Sequence, residues 1–410
     1  MAIDFIMFLF ELPASCRKFI EKGVLQFTLP RKIQYCPHCG ASHTIVHGYR
    51  MQRLRGLAVS DMTCIYKSRR YLCQECGKTF MEERTFIKPY QRMPNSVIDA
   101  IVQEHGALVT EEHIAHRHGV SVPTVMRHFA RAMETAEKKA DRSTLPRILS
   151  MDEFRGNVGA KYQVVMNDLE KKQCCAILKD RSKEALYDAV LSYSQEMRES
   201  VCLVSMDLSS FFRKIVEEHF PNAIIAADKF HAVRLANDAL NEIRVDVQEK
   251  LDSEQRRDFK NAKKILLARK NTLKEASLSK LKGMLNVSDD LSHAYQLKEE
   301  YFALFSSKDH ASYKRRLQDF AEHVAKFGLK EFKRVLRTTY QWQEEIWTGI
   351  QTGYNNGFTE GCNNTIKTLK RISYGFRNIK NFRRRILFVL NNPERQARRT
   401  KKSKKVSHNI

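Results

Sequence analysis

The sequence lacks any uninterrupted apolar run of about 18 residues, so it contains no candidate transmembrane helix. The apolar start, Met1 to Leu12, is interrupted by Asp4 and no basic region precedes it. We interpret it as a packed amphipathic segment and not as a signal peptide. No internal repeat and no nucleotide-phosphate loop is present, so we expect no nucleotide cofactor. Apolar residues still make up 42% of the 410 residues, which excludes a wholly disordered chain.

Acidic residues are scarce relative to basic ones, with 47 Asp and Glu against 71 Lys and Arg, a formal net charge of +24. This excess predicts a polyanionic partner, most simply double-stranded DNA. Between Lys367 and Lys405, 15 basic residues accompany one acid, Glu394. Aromatic residues interleave with them, which predicts a folded phosphate-binding surface. We assign to it Lys367, Lys370, Arg371, Arg383 and Arg384. For residues 398–405 a solvated basic tail is the alternative.

Two Cys-x-x-Cys pairs, Cys36 with Cys39 and Cys73 with Cys76, are each followed by a glycine. Glycine permits the tight turn that lets both thiolates of a pair face one ion. Strand-like runs lie between the pairs. The pattern predicts a zinc ribbon over residues 31–92 with one structural Zn²⁺ ion. Because no signal peptide is recognised, we expect a cytoplasmic protein without disulfides.

Residues 93–145 show helical spacing and no strand-like runs. Ser121 suits an N-cap position and Pro123 suits a first helical turn, after a turn at Gly119. We predict a helix-turn-helix DNA-binding domain whose second helix faces a major groove. The outward residues of that helix are Thr124, Arg127 and His128. A purely structural three-helix bundle is the alternative.

From residue 146 the pattern becomes α/β, and three strand-like runs end in carboxylates, at Asp152, Asp207 and Asp228. The element order β-β-β-α-β-α-β is that of ribonuclease-H-like domains, in which the first and fourth strands are neighbours. Asp152 and Asp207 should therefore converge and repel each other unless cations lie between them. This predicts a site for two Mg²⁺ (or Mn²⁺) ions. Glu360, at the start of a later helix, is the candidate third ligand, and Lys367 follows about two turns later.

The predicted fold class is multidomain: an N-terminal zinc ribbon and helix-turn-helix, then an α/β ribonuclease-H-like catalytic domain with an all-α insertion. The catalytic domain covers residues 146–245 and 351–392, and the insertion covers residues 246–350. An N-terminal helical segment, residues 1–30, and a basic tail, residues 393–410, complete the predicted organisation.

Several stretches resemble the insertion-sequence transposases of the zinc-ribbon DDE (Asp-Asp-Glu) class, in the family usually called IS-L-three. They include Met151-Asp-Glu-Phe154, Val204-Ser-Met-Asp207, Ala227-Asp-Lys-Phe-His231 and Asn356-Gly-Phe-Thr-Glu360. The resemblance spans nearly the whole chain, in the family's order. It implies that Asp152, Asp207 and Glu360 are the catalytic trio, and it leaves the role of Asp228 and His231 unassigned.

The resemblance further implies an enzyme that binds terminal inverted repeats and catalyses metal-dependent DNA cleavage and strand transfer. We expect at least a dimer on DNA, because two ends must be brought together, and a bacterial, nucleoid-associated protein. The main alternative is a non-enzymatic DNA-binding regulator built from the zinc ribbon and the helix-turn-helix. A structure-selective nuclease of the same fold is a third hypothesis.

Overall fold

The computed structural model describes residue 10 and residues 12–56, 63–139, 144–156, 158–253, 256, 259 and 262–392. The chain forms two compact units. The terminal unit comprises Met1–Ala140 and Thr368–Ile410, and the central unit comprises Asp141–Lys367. The predicted basic tail, residues 393–410, and residues 1–9 of the predicted N-terminal segment lie outside the described residues.

A five-stranded sheet opens the terminal unit, in the order β1-β2-β4-β3 with β5 beside β4. Its strands are β1 Arg17–Glu21, β2 Val24–Thr28, β3 Thr44–Arg53, β4 Thr63–Cys73 and β5 Thr79–Met81. The helical segment predicted for residues 1–30 is therefore wrong over the first two strands, which form an antiparallel hairpin. Lys22 and Gly23 adopt positive φ and close the turn. Burial alternates along β2, with Leu25 and Phe27 inward, which is the period of a strand.

Among the described residues, the helices that lie wholly in the terminal unit are α1 Asn95–Glu104, α2 Glu111–Arg117, α3 Val122–Lys139 and, at the end of the described chain, α15 Ile379–Leu390. Leu25, Tyr66 and Phe86 from the ribbon share one hydrophobic cluster with Ile101 and Val125 from the helices. Tyr66 packs edge-on against Phe86, with ring centroids 5.2 Å apart. The ribbon and the helices are therefore stabilised by one core and not by two independent ones.

The central unit is built on a second five-stranded sheet, in the order β10-β9-β6-β7-β8. Its strands are β6 Ile148–Arg155, β7 Tyr162–Asp168, β8 Gln173–Ile177, β9 Leu203–Met206 and β10 Ile224–Ala227. The first three pair antiparallel. Strand β9 pairs parallel with β6 and with β10. The expected adjacency of the first and fourth strands of this unit is thus confirmed.

Helices surround this sheet and make up the region between β10 and Glu360. The first four are α4 Lys183–Leu191, α5 Gln195–Glu199, α6 Ser210–His219 and α7 Lys229–Glu249. The later ones are α8 Ala262–Leu267, α9 Glu275–Leu285, α10 Asp289–Leu304, α11 His310–Phe327, α12 Lys330–Gln341, α13 Gln343–Thr352 and α14 Gly357–Ile372. Val204 and Met206 of the sheet share one hydrophobic cluster with Leu291, Phe320 and Phe332 of these helices. None of the described helices is long and apolar enough to cross a membrane.

Candidate active site

Asp152 and Asp207 occupy equivalent positions on neighbouring parallel strands. Ser150 of β6 is paired with Ser205 of β9, and each aspartate lies two residues beyond its serine. Side chains two residues apart point to the same face of a sheet, and neighbouring strands lie about 4.8 Å apart. The β6–β7 ladder continues to Arg155, so β6 does not end at Asp152, as the sequence predicted. Asp152 instead lies where β6 separates from β9.

The two carboxylates repel each other in a partly dry environment. Asp152 is 8% exposed. Burial, and then the charge of Asp207, raises the pKa of Asp152 from 3.8 to about 6. Burial likewise raises the pKa of Asp207. The Oδ1 atom of Asp207 is buried and has no hydrogen-bond donor within the described part of the chain. An acceptor left unpaired in this way, beside a second carboxylate, fits a bound cation.

Helix α14, which carries Glu360, is held against these strands by hydrogen bonds of its neutral side chains Thr359 and Asn363. The Nδ2 atom of Asn363 donates to Oδ2 of Asp152 at 2.9 Å. The hydroxyl groups of Thr359 and Ser150 lie 2.6 Å apart. Asn167 donates to the Thr359 hydroxyl at 3.0 Å. Asn363 is absent from the residues predicted from sequence, although its position three residues after Glu360 places it on the same helical face.

Glu360 lies in the first turn of α14 and its side chain is exposed to solvent. Its backbone N–H donates to the carbonyl oxygen of Asn356 at 2.7 Å, but its carboxylate has no hydrogen bond or ion pair with any residue that the structure describes. Among the described residues, no cluster of three or more potential ligand side chains within 4.8 Å includes Glu360 or the two aspartates. The structure therefore brings Asp152 and Asp207 together and leaves the Glu360 carboxylate outside their immediate contact.

Asp228 and His231 form an ion pair next to the two aspartates. Asp228 caps α7, and its Oδ2 lies 2.9 Å from Nδ1 of His231. Its Oδ1 accepts from the backbone N–H of Asn356 at 3.0 Å, at the turn before α14. Burial opposes ionisation of Asp228, but these hydrogen bonds outweigh it and lower the pKa of the carboxyl. Since both oxygens are engaged, Asp228 is less suited than Asp207 to bind a cation.

The four predicted zinc ligands converge in the terminal unit. The Sγ atoms of Cys36, Cys39, Cys73 and Cys76 all lie within 4.8 Å of one another. The Sγ atoms of Cys36 and Cys76 are 3.6 Å apart, as are those of Cys39 and Cys73. Four thiolates about 2.3 Å from one tetrahedral Zn²⁺ ion would be about 3.8 Å apart. Gly40 and Gly77 have φ of 75° and 67°, as the tight turn after each pair requires. The cluster is the ligand set of a structural zinc site.

Comparisons with known proteins agree with this arrangement. A family model of ISL3-type DDE transposases, described as "Transposase", matches residues 149–386. A second model, the zinc-finger of transposase IS204/IS1001/IS1096/IS1165, matches residues 34–76. The chain belongs to the ISL3 family of transposases.

Two of the curated relatives that the chain matches are named as transposases. The chain is 24% identical over 359 residues to the transposase for insertion sequence element IS1001 of Bordetella parapertussis, covering 86% of this chain and 87% of the relative. It is 25% identical over 280 residues to the transposase for insertion sequence element IS1557 of Mycobacterium tuberculosis, covering 62% of each. DNA binding and DNA cleavage follow from membership of the family, which disfavours a non-enzymatic regulator.

In this transposase the second helix of the predicted helix-turn-helix, which we expect to face a major groove, corresponds to α3. It follows α2, whose N-cap Thr110 accepts from the backbone of His113 at 3.0 Å. Arg127 is exposed, whereas Thr124 and His128 are half-buried. The Thr124 hydroxyl lies 3.0 Å from that of Ser121, across the first turn. Burial and the nearby arginines lower the pKa of His128.

The predicted phosphate-contacting residues of the transposase divide into two groups. Lys367, Arg371 and Arg383 are exposed and Lys370 is half-buried. Arg384 is only 5% exposed, and its Nε and Nη2 atoms donate to the Glu137 carboxylate at 2.9 and 2.7 Å. The assignment of Arg384 to a DNA contact is therefore wrong, because a buried, bidentate ion pair already uses its charge.

Proposed function

We propose that the central unit is a ribonuclease-H-like domain in which Asp152, Asp207 and Glu360 are the catalytic carboxylates of DNA transposition. The observation that carries this proposal is the buried Asp152–Asp207 pair with its unpaired Oδ1 atom. The order of the five strands and the attachment of the Glu360 helix to Asp152 through Asn363 support it.

The donor set fits hard divalent cations. Carboxylate oxygens are preferred by Mg²⁺ and Mn²⁺, and thiolate or imidazole ligands are not needed. We propose that the two aspartates and Glu360 hold two such ions. When bound, they supply Lewis-acid polarisation of the scissile phosphate and neutralise charge on the leaving oxygen.

The residues of the chain then have distinct tasks. Asp152 is ionised above about pH 6, and burial also raises the pKa of Asp207; once ionised, the two carboxylates keep a negative site in place. Glu360 supplies the third carboxylate by a change of side-chain position, because its helix is already anchored through Thr359 and Asn363. Lys367, exposed about two turns further along the helix, binds a DNA phosphate. The hydrogen bond to Asp228 raises the pKa of His231, and a protonated His231 would neutralise the charge of Asp228 beside the two catalytic aspartates.

The reaction is phosphodiester hydrolysis followed by transesterification. The oxygen of a water molecule attacks the phosphorus at the element end, the bond to the 3′ oxygen breaks, and a 3′-hydroxyl is released. That hydroxyl then attacks a phosphorus of target DNA and forms a new phosphodiester, while the broken bond releases another 3′-hydroxyl. Neither step consumes a nucleotide cofactor.

We further propose that α2 and α3 act as a helix-turn-helix that reads the terminal inverted repeats. Arg127, exposed on α3, is the best placed of the predicted residues to contact a base edge. Because two ends must be held together for joining, the active form is at least a dimer. Its place of action is the nucleoid in the bacterial cytoplasm, where the DNA substrate lies.

A nicking assay on duplex DNA carrying the element end tests the catalytic proposal. Asp152→Asn, Asp207→Asn and Glu360→Gln should still bind that DNA but lose more than about 100-fold in Mg²⁺- or Mn²⁺-dependent cleavage. This threshold follows because removing partners of metal ligands already costs about 10–100-fold.

Glu153→Gln is the matched control. Glu153 follows Asp152 on the same strand, and its carboxylate pairs with Arg181 at 2.5 Å. This variant should cleave at close to the wild-type rate. Full cleavage by Glu360→Gln would contradict the three-carboxylate mechanism. Loss of cleavage in Asp228→Asn with retention in Asp207→Asn would show that the second ligand is on β10. Binding without any metal-dependent cleavage by the wild type would favour the regulator.

A further inference from the structure

A cavity of about 280 Å³ lies inside the terminal unit, and none of the four zinc ligands lines it. Its walls come from the three-helix bundle, through His105 and Phe129, and from residues 373–385 at the start of α15. Arg385 and Arg377 both line it. Arg384 also borders it, but that charge is paired with Glu137.

Arg385 is a buried cation with incomplete pairing. Its residue is 2% exposed. Its Nη2 atom donates to the backbone carbonyl oxygens of Val109 and Ala107 at 2.9 and 3.4 Å. Its Nε and Nη1 atoms have no acceptor among the residues that the structure describes. Burial lowers the pKa of Arg385 to about 10, against the opposing charge of Glu111, so the side chain stays charged at neutral pH. A buried charge whose donors are only partly paired is destabilising unless an anion accompanies it.

His105 also lines the cavity, and it carries an unpaired acceptor. It is fully buried and stacks on Phe129, with ring centroids 4.1 Å apart. Its Nδ1 lies 2.8 Å from the Ile101 carbonyl oxygen and must donate, because a carbonyl oxygen only accepts. Burial, and then the charge of Arg385, lowers the pKa of His105 to about 3, so the ring is neutral. Its Nε2 is therefore an acceptor, and it is unpaired in the described part of the chain.

We propose that this cavity is a binding site for a phosphate group, held by Arg385 and Arg377. Phosphate oxygens would pair the free Arg385 nitrogens, and guanidinium–phosphate hydrogen bonds are among the strongest available to proteins. A P–OH group, or a hydroxyl of an attached sugar, would donate to Nε2 of His105. Glu111 also lines the cavity and is half-buried. Its single negative charge does not balance the charges of Arg377 and Arg385, so the lining keeps a net positive charge.

The phosphate has two chemical sources, a DNA backbone phosphate or a free phosphate compound of nucleotide size. In its DNA form the inference rests on the proposed DNA-binding role of this unit. Binding of free phosphate does not, and it can be tested without any DNA.

The first arm measures thermal unfolding of the full chain in inorganic phosphate and in chloride at matched ionic strength. Phosphate should raise the Tm of the wild type and of Lys380→Met, an exposed cation on α15 that does not line the cavity. The rise should be lost in Arg385→Met, beyond the general stabilisation that phosphate gives any protein. Should Arg385→Met fail to fold, Arg377→Met, at an exposed position, should at least halve the rise.

The second arm measures DNA affinity of the same variants over a range of salt concentrations. If the occupant is a DNA phosphate, the log–log salt slope of Arg385→Met should be smaller than that of the wild type by about 0.9. An unchanged slope with a lost phosphate-dependent Tm rise would identify a free phosphate compound.

Equal Tm rises in all variants, with equal salt slopes, would overturn the inference. A wild type that shows the Arg385-dependent rise but never cleaves DNA would instead refute the proposed function and leave this site intact.

Discussion

Replacing Asp207 by asparagine should stabilise the metal-free protein, although the side chain lies beside the proposed catalytic centre. The pKa of Asp152 is higher in the folded protein than in the unfolded chain, by burial first and by Asp207 second. Protons therefore bind the folded state preferentially between about pH 4 and pH 6, and the free energy of unfolding falls as pH rises through this window. Above it, the ionised pair opposes folding until a cation binds.

The size of the effect follows from the pKa. A rise from 3.8 to about 6 means that ionising Asp152 costs about 3 kcal/mol of stability, at about 1.4 kcal/mol per pKa unit. Burial is the larger cause and persists in Asp207→Asn. Removal of the Asp207 charge should therefore raise the free energy of unfolding by about 1 kcal/mol. This corresponds to a Tm rise of about 2–4 °C for a unit of this size.

Asp228→Asn is the matched control, and for it we expect a change in Tm of the opposite sign. Although burial raises its pKa, the hydrogen bonds from His231 and Asn356 lower it overall, so ionised Asp228 stabilises the fold above its ordinary pKa and this contribution is lost as pH falls. Its replacement should lower the Tm at about pH 8, because a hydrogen bond to a charged group contributes about 1.5–3 kcal/mol.

Calorimetry with a chelator, and then with Mg²⁺, measures both effects on the central unit. Mg²⁺ should raise the Tm of the wild type at about pH 8 and leave Asp207→Asn nearly unchanged. If the metal-free Asp207→Asn protein is destabilised as much as Asp228→Asn, then repulsion by Asp207 does not contribute to the raised pKa of Asp152.

Further outcomes concern the other unit and the contacts around the carboxylates. Cys73→Ser should release zinc, measured by elemental analysis, and should also unfold the three-helix bundle, measured by helical circular dichroism, because ribbon and helices share one core. Arg384→Met should lower the Tm of the terminal unit through loss of the Glu137 pair, and its DNA salt slope should match the wild type. Arg127→Ala should reduce discrimination between end DNA and random DNA by about 1–3 kcal/mol in competition binding. Asn363→Ala should slow cleavage by about 10–100-fold, because it removes the hydrogen bond that orients Asp152.

Much of the central sheet could be predicted from sequence because its signals are local. Buried runs such as Leu203–Met206 end at a carboxylate, and strand neighbours follow from the element order. The helical pattern of residues 183–199 predicts one continuous helix, but the structure has two, α4 and α5, since Ser194 caps a new helix by accepting from the backbone of Met197. That N-cap signal is short, and a continuous helical pattern conceals it.

Contacts between residues distant in sequence could not be predicted in this way. Arg384 looks like a surface cation within a basic run, yet its partner Glu137 is 247 residues away. Arg385, beside it, is buried against the backbone of Val109, 276 residues away. The sequence of the run Arg383–Arg385 does not show which arginine is exposed and which are buried. The exposure of each one depends on whether its side of α15 faces the segments that precede it by more than 200 residues.

The position of Glu360 follows from the same electrostatics as the raised pKa of Asp152. Asp152 and Asp207 each lie two residues beyond Ser150 and Ser205, the last pair of the β6–β9 ladder, so the ladder limits how far their backbones can move apart. A third carboxylate at the same place would add a like charge and raise the cost of ionisation further. The neutral groups of Thr359 and Asn363 can approach the strands without that cost, and they position the helix while the Glu360 side chain remains in solvent. Under the proposed mechanism, the fold holds the backbone of all three ligands in place, and bound cations would make it favourable for the third carboxylate to join the other two.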